Sequence, residues 1–179
     1  FSIACASYGA KVVVADMNSG METVEIIQNR GGKAKFVEVD VANENSTNFM
    51  AKTAFDWSGR VDGLINNAAY FREVKLTPFE EIKIEVWDKI FDVNVKGIWQ
   101  CSKAVIPFMR KNNGGSIINI SSVVAVAGQP GYLHYVATKG AVLAMTKGLA
   151  KECGKDLVRV NTIAPGFVIT DILGLNAIF

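Results

Sequence analysis

Apolar positions along the 179-residue chain follow two rhythms that alternate from one end to the other. Short β-branched runs cover 11–16, 34–41, 61–66, 115–122 and 157–164, and near-continuous apolar runs of this kind belong to strands buried on both faces. Between them, 1–9, 22–29, 43–58, 85–111 and 132–153 carry apolar residues three and four apart, the helical period. Gly9, Gly31-Gly32 and Gly128-Gln-Pro-Gly131 stop or turn the chain between elements. Strand and helix alternate at least five times, which predicts an α/β domain with a parallel sheet and helices on both faces. The same pattern puts Phe49, Ala54 and Trp57 in the core, makes 85–111 the longest helix, and leaves 70–84 and 123–131 as connections. No repeat, low-complexity stretch or linker interrupts it, so 1–179 reads as a single domain.

Open parallel sheets gather their ligands at the carboxyl ends of the strands. Ser122 stands at such an end, and Tyr135 and Lys139 follow on the next predicted helix. Four residues apart, they share one helical face, so an ammonium lies beside a phenol. A nearby cation favours the phenolate and brings a proton-trading tyrosine closer to neutral pH. The spacing alone is weak; its surroundings decide its meaning. Asp16 and Asp40 close the first two strands, where each either caps a turn or meets a ligand. Asn66-Asn-Ala-Ala69 ends the third in small residues that let the backbone approach a ligand. Asn94 sits inside a helical stretch, where its side chain competes for backbone hydrogen bonds.

Composition narrows the function classes. The net charge is +2 with no run of Lys or Arg, which disfavours nucleic acid and anionic membrane as partners. No uncharged apolar stretch is long enough to span a bilayer, and the opening residues lack the basic start of a secretory leader. Three scattered cysteines point to a reducing, cytoplasmic compartment rather than a disulfide framework. His134 is the sole histidine and there is no Cys-x-x-Cys, so no metal site is expected.

Ser122, Tyr135 and Lys139, with Asn66-Asn-Ala-Ala69, Asn94 and Pro165-Gly166, resemble the short-chain dehydrogenase/reductase family in order and spacing. Ala69 stands where that family's signature has glycine. The resemblance implies a Rossmann-type doubly wound sheet and hydride transfer between a nicotinamide cofactor and a small secondary alcohol or ketone. It implies Tyr135 as general acid/base, Lys139 as the group lowering its pKa and holding the nicotinamide ribose, and Ser122 as the polariser of the substrate oxygen. Asn94 would hold a water linked to the lysine. Asp16 would receive the adenosine ribose and favour NAD over NADP, Asp40 and Val41 would flank the adenine, and Asn66 and Ala68 would border the ribose. Pro165, Gly166, Val168 and Thr170 would line the nicotinamide.

Three other readings compete. A serine hydrolase would need a Gly-x-Ser-x-Gly elbow, which the chain lacks. Tyr132, seven residues before Lys139, has the spacing of the related enoyl reductases, and a catalytically incompetent nucleotide-binding fragment or sensor could share the fold. By resemblance the strand and glycine-rich turn that should precede residue 1 are missing, as is part of the C-terminal substrate region. The strand ending at Asp16 and the one ending near Asn66 are therefore expected to be unpaired with one another, with poor NAD binding by these 179 residues alone. Apolar positions on several faces of 85–111 and 132–153 suggest a homodimer or homotetramer.

Overall fold

The structure is a computed structural model and describes residues 1–168. Helix α1 (Ser2–Ser7) leads through Gly9, at φ 88°, into strand β1 (Lys11–Asp16). Helix α2 (Met21–Asn29), strand β2 (Lys33–Glu38), helix α3 (Glu44–Ser58) and strand β3 (Gly63–Asn66) follow. A 3₁₀ turn (Phe79–Glu81) precedes a long helical stretch in three parts: α4 (Ile84–Phe91), a π turn (Asp92–Lys96) and α5 (Gly97–Lys111). Strand β4 (Gly115–Ile120), the short α6 (Val124–Ala127), the 21-residue α7 (Leu133–Cys153) and strand β5 (Val158–Ile163) complete it.

The strands form two parallel sets, β1 with β2 and β3–β4–β5, so β4 is central in the second. No ladder joins β1 to β3, as expected from the sequence. Both sets nevertheless rest on one helical layer: Val13 of β1, Val37 of β2 and Leu64 of β3 pack on a cluster with Met50 of α3 and Cys101 of α5. A second cluster joins Ala51, Val105, Met109, Ile117, Cys153 and Val160 beneath β3–β4–β5. On the opposite face of β1–β2, Ile3 and Ala6 of α1 and Val24 and Ile27 of α2 pack on Val14 and Ala34. This is the doubly wound arrangement.

Four details depart from the sequence pattern. Strand β2 stops at Glu38 rather than 41: Asp40 donates its N–H to Ser46 Oγ at 3.0 Å, and its own Oδ1 takes the N–H of Ala42 at 2.9 Å. Backbone groups engaged in a turn cannot extend a ladder. Phe49, placed in the core by spacing, is 62% exposed, while Thr47, Met50 and Ala51 form the buried stripe of α3. The 85–111 helix is split by its π turn, leaving α7 the longest single element. The 123–131 connection contains α6, whose N–H of Val124 reaches Ser122 Oγ at 3.4 Å.

Candidate active site

Within each set the strands are parallel, and Asp16, Asn66 and Ser122 stand at or just past the carboxyl ends of β1, β3 and β4. The centre is built from β4 and α7. Ser122 follows two residues after β4 ends, and Tyr135 and Lys139 stand in the first two turns of α7. Ser122 is the side chain that acts on the Tyr135 phenol. Lys139 is 3% exposed, with its ammonium donating to the Ile120 carbonyl at 2.8 Å and lying 5.5 Å from the Tyr135 ring centre.

Burial sets the electrostatics. It pulls the Lys139 ammonium down to about 8. It also pushes the Tyr135 phenol above its ordinary value, and Ser122 opposes that rise. Burial and Ser122 are the influences on the phenol here, while the Lys139 ammonium faces the Ile120 carbonyl and lies over the Tyr135 ring. His134 is buried, its Nδ1 without a partner among the described residues, and burial lowers its pKa.

Asn94 occupies the π turn and is 1% exposed. Its Oδ1 accepts the N–H of Tyr70 at 2.7 Å, and its Nδ2 donates to the Tyr70 carbonyl at 3.3 Å and to Thr138 Oγ1 at 3.4 Å. Thr138 Oγ1 in turn donates to the Tyr135 carbonyl at 2.8 Å. Asn94 therefore ties the turn after β3 to the helix of the tyrosine, and the helix widens where that side chain enters the interior.

Tyr135 has an aromatic neighbour. The Phe71 ring lies 4.5 Å from it, tilted by 41°, and 5.9 Å from Tyr132. Rings at such separations add about 0.5–1.5 kcal/mol beyond their area.

Asn66 is buried and spends its Nδ2 on Asn119 Oδ1 at 2.8 Å and Ser102 Oγ at 3.3 Å. It braces the sheet against α5, whereas Asn67, Ala68 and Ala69 are exposed at the strand's end. Asp16 is exposed, and its Oδ1 takes the N–H of Asn18 at 2.9 Å. Val41 packs on Gly97, where a Cβ would come within 2.7 Å of its methyl, and its carbonyl accepts from Gln100 Nε2 at 3.2 Å. Pro165 accepts the N–H of Val123 at 3.0 Å, while Gly166 and Val168 are exposed. Thr170 lies outside the described residues.

A family model described as enoyl-(acyl carrier protein) reductase matches residues 2–176. A 3-oxoacyl-[acyl-carrier-protein] reductase from Synechocystis sp. is 41% identical, over 98% of this chain and 72% of its own length. The chain belongs to the short-chain dehydrogenase/reductase family. Among other members, a cyclopentanol dehydrogenase from Comamonas sp. is 40% identical over 90% of this chain and 64% of its own length. A solved structure described as a short-chain alcohol dehydrogenase from Sinorhizobium meliloti 1021 superposes with a TM-score of 0.89 at 31% identity, covering 98% of this chain and 68% of its own. The chain thus spans 64–72% of these short-chain dehydrogenase/reductase relatives.

Sequence reasoning missed a polar framework behind the site. Asn119 is fully buried in β4; it accepts from Asn66, donates Nδ2 to Thr146 Oγ1 at 2.9 Å, and its carbonyl takes the Thr162 hydroxyl at 2.9 Å. Ser121 Oγ donates to the Lys139 carbonyl at 2.8 Å. The available signal was an asparagine flanked by isoleucines in a β-branched run, since a polar group there must find buried partners.

Proposed function

We propose that this chain is the core of a nicotinamide-dependent oxidoreductase that interconverts small secondary alcohols and ketones, with Tyr135 as general acid/base. The observation that carries the reading is the gathering of Ser122, which draws the Tyr135 phenol's pKa down, and the Lys139 ammonium, 5.5 Å from the same ring, at the end of β4. Two hydroxyls gathered in this way can meet one substrate oxygen together, Ser122 orienting it and Tyr135 passing or taking the proton. The charge of Lys139 favours the phenolate once a substrate hydrogen-bonds to it. Asn94 holds the turn after β3 against α7 and so fixes the floor beside Tyr135.

The residues along the edge fit a nicotinamide dinucleotide. Asp16 keeps an exposed carboxylate at the end of β1, and the small exposed residues 67–69 leave backbone accessible. When bound, that cofactor supplies or accepts the hydride. Asp16 would receive the adenosine ribose and favour NAD over NADP, because a carboxylate repels a 2′-phosphate. Asp40, Val41, Asn66 and Ala68 would border the adenosine half, and Pro165, Gly166, Val168 and Thr170 the nicotinamide. A homodimer or homotetramer through α5 and α7 fits the 47% exposure of Trp99.

One observation favours a second reading, enoyl reduction through Tyr132: the description of the matching family model. Tyr132 stands just before α7 with its ring tilted 5.9 Å from that of Phe71, while Ser122 acts on Tyr135. Paired variants of the complete natural polypeptide separate the two. Tyr135→Phe is expected to lower ketone reduction by about 10²–10⁴-fold while nucleotide binding survives, and Tyr132→Phe to be mild. The reverse result, with activity on an enoyl thioester, selects the second reading.

A further inference from the structure

The segment after β3 carries Phe71 to the mouth of the site and is held at both ends. At its start, Asn94 grips the N–H and carbonyl of Tyr70. Farther on, the Thr77 N–H donates to the Gly131 carbonyl at 2.9 Å, and Leu76 closes on Gly131 so tightly that a Cβ there would meet its methyl at 2.8 Å. Gly131 also has φ 77°, a backbone angle that favours glycine. Residues 70–77 thus form a strap from the π turn to the turn before α7, passing over Tyr132 and Tyr135. Phe71 is its inward aromatic residue, half-buried, with its ring against both tyrosines. The rim is apolar too: Leu76, Val126 and Leu133 are 64%, 83% and 46% exposed.

We propose that Phe71 is a specificity-determining residue: with Tyr132 it forms an aromatic wall beside the Tyr135 ring that selects uncharged ring-bearing ketones and secondary alcohols over open-chain ones. The inference rests on the alcohol and ketone reading above. A rigid ring lying against aromatic faces loses few rotatable bonds on binding, whereas an open chain of equal carbon number must freeze several to gain the same contact. A pinned backbone matters here, because a wall discriminates shape only if it cannot retreat. The Tyr70 clamp and the Thr77 bond supply that rigidity.

The test uses the complete natural polypeptide with saturating nucleotide, and cyclohexanone against 2-hexanone. The wild type is expected to prefer cyclohexanone by about tenfold in kcat/KM, the scale on which a modest apolar contact discriminates. Phe71→Leu should lower kcat/KM for cyclohexanone about tenfold more than for 2-hexanone, chiefly through KM, and Phe71→Trp should restore the preference. A ring that only steadied Tyr135 would instead lower kcat for both ketones in equal proportion. An unchanged ratio in both variants, or a wild type that prefers 2-hexanone, overturns the inference and leaves the alcohol and ketone reading standing. A wild type that reduces neither ketone overturns both.

Discussion

The two strand sets share one helical layer, yet they hold their functional residues by different means. In β3–β4–β5, buried side chains do the holding: Asn66, Asn119, Thr146 and Ser102 form a closed polar network, and Lys139 and Asn94 are 3% and 1% exposed. In β1–β2 the candidates stand at the surface or in turns: Asp16 bonds the N–H two residues on, and Asp40 bonds Ala42 and Ser46 through local contacts. The proposed roles match that division. Proton transfer demands groups fixed to within a fraction of an ångström, which a buried network provides. Recognition of a ribose needs only a carboxylate at a strand end. Substitutions in the first region should therefore cost folding stability, whereas those in the second should alter selectivity at little cost.

The sharpest break is Asn119→Ala. It removes one buried bond each from Asn66 and Thr146, leaving them Ser102 and the Val142 carbonyl, and it deletes a buried side chain; a lost buried bond costs about 1–3 kcal/mol. A loss of about 2–4 kcal/mol in urea denaturation is expected. Under the same conditions Asp16→Ala should change stability by less than about 0.5 kcal/mol. Equal losses would erase the contrast between the regions.

Next in size is the charge of Lys139, read in nucleotide-free protein. Below pH 8 the lysine is protonated in folded and unfolded chains alike, and its burial is a cost to the fold. Between about 8 and its ordinary 10.5, the unfolded chain keeps the proton while the folded one releases it, so stability rises with pH. The gain amounts to at most about 3 kcal/mol. Tyr135, displaced upward by burial, works in the opposite sense only above its ordinary 10.0, but the buried thiols Cys101, pushed up to about 12, and Cys153, also pushed up, do so above their ordinary 9.0, which leaves pH 8–9 as the clean window. Lys139→Met should flatten the slope of melting temperature against pH there. A slope that persists in the variant assigns the effect to another group.

The smallest effect belongs to the other region. Asp16→Ala combined with Met17→Arg should raise the NADP-to-NAD ratio of kcat/KM about tenfold in the complete natural polypeptide, as expected for reversing one charge near a phosphate in a solvated setting. Equal use of both nucleotides by the unaltered protein would remove Asp16 from that role.

Much of this was legible in the sequence because period and punctuation agree with tertiary need. Strand β1 has the predicted bounds, and α3 begins one residue after Asn43, whose Oδ1 takes the Ser46 N–H at 3.2 Å as a helix cap does. Ser122, Tyr135 and Lys139 were found because residues four apart on a helix, after a strand end, have few places to go. What stayed hidden depends on partners far away in the chain. Asn119 is interpretable only beside Asn66, 53 residues earlier. The Phe71 contact joins residues 64 apart across a connection without periodicity. Phe49 was misplaced because spacing identifies a stripe on a helix but not its edges.

The π turn at Asp92–Lys96 does more than lodge Asn94. Each residue of an α-helix advances about 100° around the axis, so a turn wider by one residue resets the angular phase of everything after it. The rod on either side consequently faces two directions: α4 packs on α7, while α5 packs on α3, β3 and β4. Cys101, Val105 and Met109 of α5 join the clusters beneath the strands, whereas Ile90 of α4 is buried outside both. The asparagine that clamps the strap beside Tyr135 is thus also the phase coupling between two packing layers, and deleting one residue from 92–96 would leave both halves helical but pointing past their partners.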